Sequence, residues 1–364
     1  MRGHDHKQEQ MYSYISMENR VPQEHPLRGI RRIADEVMKG LSPRFARMYS
    51  EVGRPSIPPE QLLRALMLQA LYTIRSERQL MEQLDYNLLF RWFVGLSMDD
   101  PIWVPTVFTK NRDRLLEGDI AEGFFSKVMN IARREKLLSE EHFTVDGTLI
   151  EAWAGLKSFK KKGTHTDAPV DDPGNPTVNF HGEKRSNTTH ESTTDPDSRL
   201  YRKGVGKEAK LCYMGHALMD NRHGLIVQAR LTIASGTAEA EAAIEMLKQV
   251  KRKGIHPKTV GADKGYDQSK VVTALRRLKI TPHVAQKNDE RYTAIDGRTT
   301  RHAGYLISQQ KRKLVEQIFG WGKTIALLRK VHHRGKRKVA WLFMFSSAVF
   351  NIMRINNLQS VNVS

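Results

Sequence analysis

The order of apolar segments after residue 140 limits the fold more sharply than any single motif. His142-Phe143-Thr144-Val145 runs into Asp146 and continues through Leu149-Ile150, which predicts a first strand. Residues 211–219 and 225–233 alternate or run apolar on either side of Asn221-Arg222-His223-Gly224, a turn sequence, and predict two more strands. Residues 237–253 read as an amphipathic helix with Ala242, Ile244, Leu247 and Val250 inward. Its basic end, Lys251-Arg252-Lys253, complements the helix dipole. A strand at 259–262, a helix at 268–278, a strand at 283–285 and a long helix from about Ser308 complete the order. Three strands followed by alternating helix and strand predict an α/β sheet with an antiparallel start and helices on its faces.

Residues 26–125 have a different texture. Ile57-Pro58-Pro59 breaks the chain, and Leu62, Leu63, Leu66, Leu71 and Ile74 then recur at helical spacing. Ser76 with Gln79 three residues later is a capping-box start for a further helix holding Leu80, Leu84, Leu88 and Leu89. Pro105-Thr106 opens another, which carries Lys110, Arg112 and Arg114. Short helices ending in a basic one fit a helix-turn-helix DNA module, and a plain helical scaffold gives the same pattern.

Charge narrows the partner. The chain of 364 residues has 59 Lys+Arg against 40 Asp+Glu, a formal net charge of +19. Such a surplus attracts polyanions, and nucleic acid rewards clustered cations by counterion release. The run at 329–338 is a candidate phosphate contact through Arg334, Lys336 and Arg337, or else a solvated loop. Cys212 is the single cysteine, which fits a reducing, cytoplasmic compartment. The apolar run at 339–353 contains Ser346, Ser347 and Asn351 and reads as a buried core helix, so no membrane role is expected.

Residues 157–209 interrupt the predicted sheet with a Lys-, Asp-, Pro- and Gly-rich stretch, expected to be a surface excursion. Its acids Asp167, Asp171, Asp172, Asp195 and Asp197 read as solvated loop residues. Three other acids have unusual surroundings. Asp146 lies inside an apolar run, Asp263 ends the run Val260-Gly261-Ala262, and Glu316 sits in the helical stretch after Lys313. The first two are expected to emerge from one sheet and the third from a helix beside it. Carboxylates so placed suit Mg²⁺, and a pair of such ions about 3.5–4 Å apart serves phosphodiester chemistry. Arg312, Glu316 and Lys323 are spaced four and seven apart, within roughly 40° of one helical face at about 100° per residue. A surface salt-bridged helix would also bring Arg312 to Glu316. Gly320 and Gly322 each cost this helix about 1 kcal/mol relative to Ala, which the close passage of a DNA strand or a helix end would explain. Trp321 between them suits either the core or an unpaired base.

These motifs resemble, in order along nearly the whole chain, the bacterial insertion-sequence transposases of the superfamily numbered four and five. The resemblance rests on Gly53-Arg54-Pro55-Ser56-Ile57-Pro58-Pro59, Ser76-Glu77-Arg78-Gln79-Leu80, Val145-Asp146-Gly147-Thr148-Leu149-Ile150-Glu151-Ala152 and Ala262-Asp263-Lys264-Gly265-Tyr266. The family's signature, Tyr, two residues, Arg, three residues, Glu, six residues, Lys, is matched by Arg312, Glu316 and Lys323, with Gln309 at the Tyr position. The resemblance implies an RNase H-like catalytic domain at 140–356 and an all-α, DNA-binding domain at 1–130. Asp146, Asp263 and Glu316 would form the metal-holding triad, with Mg²⁺ or Mn²⁺ as cofactor. Double-stranded DNA, as terminal inverted repeats and target, would be the partner of a homo-oligomer in the bacterial nucleoid. A metal-dependent nuclease of the same fold, or a non-catalytic DNA-binding derivative, are the alternatives.

Overall fold

The computed structural model describes residues 14, 16–49, 56–163, 185–202, 204, 206, 208–287 and 293–361. Gly53-Arg54-Pro55 and Asp167, Asp171 and Asp172 lie outside the described residues.

The N-terminal part is helical: α1 Met17–Arg20, α2 Pro26–Lys39, α3 Ser42–Met48, α4 Pro59–Tyr72, α5 Glu77–Tyr86, α6 Leu88–Val94, α7 Pro105–Glu117 and α8 Ile120–Arg134. Proline stands in the first turn of α2, α3, α4 and α7, where its missing N–H removes no helical bond. The start of α5 follows its sequence signal. The Ser76 side chain accepts from the Gln79 N–H at 3.1 Å, and Gln79 reaches back to accept from the Arg75 N–H at 3.2 Å.

The sheet is built around β1, His142–Glu151. A small hairpin-like pair, β2 Phe159–Lys161 and β3 His190–Ser192, stands apart from it. The remaining strands are β4 Arg199–Tyr201, β5 Lys210–Asp220, β6 Leu225–Ile233, β7 Thr259–Ala262 and β8 Thr281–Val284. β5 pairs antiparallel with β1 and offers its other edge to β6 and β4. β7 lies parallel to β1, and β8 parallel to β7. The order β6-β5-β1-β7-β8 is that of an RNase H-like mixed sheet. Helices α9 Ala238–Arg252 and α10 Ser269–Arg277 connect β6 to β7 and β7 to β8. Then come α11 Gly297–Thr300, α12 Tyr305–Lys311, α13 Val315–Thr324 and α14 Lys336–Val361.

Two neighbouring residues of β5 show which helices cover which face. A Cβ on Gly215 would come within 2.9 Å of Phe343 in α14, whereas His216 points to the face where Glu239 of α9 lies over Gly147. β5 is therefore covered on both sides, which explains its nearly continuous burial. α14 also packs on α8, α2 and α4, so most buried apolar side chains form one continuous core from Val21 to Ile355, with a small second cluster of Cys212, Met214, Ala234 and Ala238. This helix is long and apolar enough to cross a membrane, and 72% of that apolar window is buried inside the protein.

Two expectations are corrected. The polar stretch 157–209 is in part built into the fold: Phe159 is 1% exposed and Asp195 is 0% exposed. Asp195 Oδ1 accepts from the Tyr213 hydroxyl at 2.6 Å and from the Gly335 N–H at 3.1 Å, and Asp197 accepts from the Lys336 N–H at 2.9 Å. These two acids cap the N-terminus of α14, where unpaired N–H groups and the dipole favour negative charge. Gly335, with φ +85°, makes the left-handed turn that brings those N–H groups round. The expected long helix from Ser308 is divided, because residues Arg312–Leu314 tighten into a 3-10 turn between α12 and α13.

Candidate active site

Register places the first two acids together. His142, Phe143 and Thr144 of β1 lie opposite Thr259, Val260 and Gly261 of β7. Asp146 is two residues past Thr144, and Asp263 two past Gly261, so both stand at one level, Asp146 within β1 opposite Ala217 of β5 and Asp263 just past the end of β7. Alternation puts Asp146 on the face of Thr144 and Thr148. Gly261 faces the same way, since a Cβ there would lie 3.4 Å from Thr144 Oγ1 and 3.5 Å from Arg312 Cβ. Arg312 thus lies over the same sheet face as the acids.

Each aspartate is half-buried and held by a local backbone bond. Asp146 Oδ1 accepts from the Gly147 N–H at 2.7 Å, and Asp263 Oδ1 accepts from the Gly265 N–H at 2.8 Å. Beneath them Tyr266 is 1% exposed, and its hydroxyl has no hydrogen-bond partner among the described residues. Burial pushes its pKa well up, and the negative charges of Glu239, Asp146 and Asp263 push it further.

Glu316 is exposed on α13, which packs against β1. α12 packs against β7, β8 and β1, and α13 packs against β1, the strand that bears Asp146. The structure does not gather Glu316 with the two aspartates, and among the described residues no three His, Cys, Asp or Glu side chains stand close enough to hold an ion. The paired aspartates, hard oxygen donors at one level of the sheet, fit a cation such as Mg²⁺ that retains several waters.

The helical wheel is also altered. Three residues at 3-10 spacing rotate the next helical turns by about 60° relative to a straight α-helix. No Arg312–Glu316 ion pair forms among the described residues; the Arg312 Nε–H is instead donated to Gln309 Oε1 at 3.1 Å. Lys323 is half-buried near the end of α13. Trp321 packs toward the core, its ring centroid 5.6 Å from that of Phe350. A Cβ on Gly322 would lie 3.2 Å from Leu328, so close packing explains that glycine, whereas Gly320 faces open space.

The other basic candidates are divided between surface and scaffold. Lys110 is exposed on α7. Arg112 pairs with Glu77 and with Asp113, and the Arg114 guanidinium lies 4.9 Å from the Tyr49 ring centroid. Arg334, Lys336 and Arg337 are exposed, but Arg337 also donates to the Glu117 carbonyl at 2.5 Å, and half-buried Lys338 donates to Asp113 at 3.1 Å. The basic run at 329–338 is thus partly a seam between α7 and α14.

Gln309 escaped a functional reading from sequence. Its Nε2 donates to the His283 carbonyl of β8 at 2.6 Å while its Oε1 holds Arg312. The available signal was its spacing, one helical turn before Arg312.

Fold and acids together define the class, an RNase H-like domain with one aspartate inside its central strand and one just past the neighbouring parallel strand. Family comparison is more specific. Residues 140–352 match the family described as Transposase DDE domain, and residues 15–114 match the one described as Transposase domain (DUF772). The chain belongs to the DDE-domain transposases. No curated relative matches the sequence. Among solved structures, a piggyBac transposase synaptic complex with hairpin DNA is similar at 11% identity and TM-score 0.41, over 93% of this chain and 76% of that one. The Mos1 mariner paired-end complex with Mn is similar at 13% identity and TM-score 0.22, over 86% and 84%. The Mos1 strand transfer complex matches at 15% identity and TM-score 0.20, over 78% and 82%.

Proposed function

We propose that this transposase acts for a bacterial insertion sequence, binding its terminal inverted repeats, cutting the element ends and joining the freed 3′-OH to target DNA. The observation that carries this reading is the shared level and shared face of Asp146 and Asp263, with Arg312 over the same face. Asp146 and Asp263 would hold Mg²⁺, with Mn²⁺ as a substitute, and Glu316, which stands apart from them in this structure, would complete the set on metal and DNA binding. When bound, the metal supplies positive charge to the attacking and leaving oxygens of an in-line displacement. Arg312 and Lys323 contribute cations that suit phosphate oxygens. Water attack at the element end and hydroxyl attack on the target are then two phosphoryl transfers of the same kind. Exposed Lys110 on the helical part, and exposed Arg334 and Lys336, would contact the DNA backbone, with a homo-oligomer bringing two ends together.

The test uses full-length protein and linear DNA carrying the ends that flank its own coding sequence. Cut 3′ ends with Mg²⁺, followed by joining of pre-cleaved ends to a second duplex, are the expected result. Cutting without joining favours the nuclease reading. Binding without either favours the non-catalytic one.

A further inference from the structure

We infer that Gln309 is a positioning residue that aims the Arg312 guanidinium at the substrate phosphate. The inference rests on the reading of Arg312 as a phosphate-contacting residue. α12 is fixed to β8 by three side chains spaced as one helical face. Tyr305 donates its hydroxyl to the Val284 carbonyl at 3.1 Å, the Ser308 hydroxyl bonds His283 Nδ1 at 2.6 Å, and Gln309 donates to the His283 carbonyl at 2.6 Å. The amide of Gln309 is therefore fixed by backbone of the sheet, and its oxygen is turned toward Arg312.

That oxygen accepts the Nε–H of Arg312 at 3.1 Å. A guanidinium has five N–H donors in a rigid planar fork, so fixing one edge fixes the direction of the others. With Nε committed to Gln309, the outer edge of the fork is left for paired bonds to a phosphate. The base of the side chain is set as well, because Arg312 Cβ lies against Gly261, two residues before Asp263. Sheet backbone, Gln309 and Arg312 thus form a continuous line of contacts over the sheet face that carries the candidate acids. Arginine alone has many rotamers, and a glutamine bonded on both sides removes most of that freedom.

A double-mutant cycle tests this. Gln309→Met keeps the bulk and removes both bonds, and Arg312→Ala removes the guanidinium. Cleavage rates are measured on linear DNA bearing the gene-flanking ends, at saturating protein, beside melting temperature and beside exchange of the ¹⁵N-labelled Arg312 Nε–H. The expected result is a loss of about ten- to a hundredfold for Gln309→Met, as a small misplacement of a reacting group can cause. Combined with Arg312→Ala, it should add no further loss, since both changes remove one function. The Arg312 Nε–H should exchange slowly in the parent and fast in Gln309→Met. Additive losses, or parental cutting by Gln309→Met beside impaired Arg312→Ala, overturn the inference. Parental cutting by Arg312→Ala instead overturns the phosphate reading of Arg312, a distinct outcome.

Discussion

Asp146 and Asp263 stand at the same level of adjacent parallel strands, each two residues beyond the last paired position. Two carboxylates so placed repel one another in metal-free protein and attract a cation together. Asp146→Asn and Asp263→Asn are therefore expected to fold at least as well as the parent without metal, to bind end DNA, and to leave it uncut at any Mg²⁺ concentration. Glu316→Gln should behave alike if it completes the triad. Efficient cutting by any of the three removes that residue from the set, and Glu151 would be examined next.

Gly320 and Gly322 make opposite predictions from one helix. Gly320→Ala meets nothing within 4 Å and should stabilise by about 0.5–1 kcal/mol through helix propensity. Gly322→Ala pushes a methyl to 3.2 Å from Leu328 and should gain less or destabilise. If DNA runs along the open face, Gly320→Ala also cuts more slowly despite its added stability. Urea titration beside cleavage rate separates the two effects; unchanged cleavage would leave Gly320 with no DNA role.

Removing the buried cap of α14 should be costly. Asp195→Ala strips the acceptor from the buried Tyr213 hydroxyl and from Gly335, which by hydrogen-bond loss alone should cost about 2–3 kcal/mol. Asp197→Ala removes one surface N-cap bond and should cost about 1 kcal/mol. Equal losses in denaturant titrations would contradict the burial difference.

Acid should destabilise the protein through histidines held neutral. Burial lowers the pKa of His216 to about 3 and that of His283 to about 4, assisted by Arg230 in the first case and by His302 and His142 in the second. As pH falls below about 6.5 the unfolded chain takes up these protons first. Stability is therefore complete above that pH and declines as pH falls toward 4, by up to about 1.4 kcal/mol per pH unit for each group. His216→Gln should flatten the dependence. A curve parallel to the parent's between pH 6 and 4 would show that His216 takes no part (roughly one such slope is at stake).

The basic run at 329–338 should split by salt dependence. Neutralising exposed Arg334 and Lys336 should lower the log–log salt slope of DNA binding by about 0.9 for each phosphate no longer neutralised. Arg337→Gln should mainly loosen the α7–α14 seam, because its guanidinium is bonded to the Glu117 carbonyl. A slope change from Arg337→Gln without loss of stability would reverse the assignment.

Sequence order revealed the sheet because each long strand is buried and the connecting helices α9 and α10 are amphipathic, so periodicity and burial coincide. The same pattern put Asp146 inside the first strand and Asp263 just past another, where the structure also has them. It misread Asp195, since a polar segment with few apolar residues gives no sign that it will lie over Tyr213 and the turn at Gly335. It also missed the break at Arg312–Leu314, because residues in α and 3-10 turns have the same preferences and only packing distinguishes them. Gln309 was visible as a departure from a signature, but its two bonds join elements whose meeting no local pattern encodes.

α14 lies between the helical part and the sheet, and its effect on folding is set by chain distance. Arg32 of α2 bonds Gln359 across 327 positions of sequence. Apolar faces of α2, α4 and α8 that emerge early from the ribosome remain without this packing partner until almost all of the described chain has been made. Contacts of such separation slow the search for the native state and leave adhesive intermediates exposed meanwhile. Spontaneous refolding from denaturant should accordingly be slow, with yield that falls as protein concentration rises, and the helical part translated alone should collect on chaperones rather than settle.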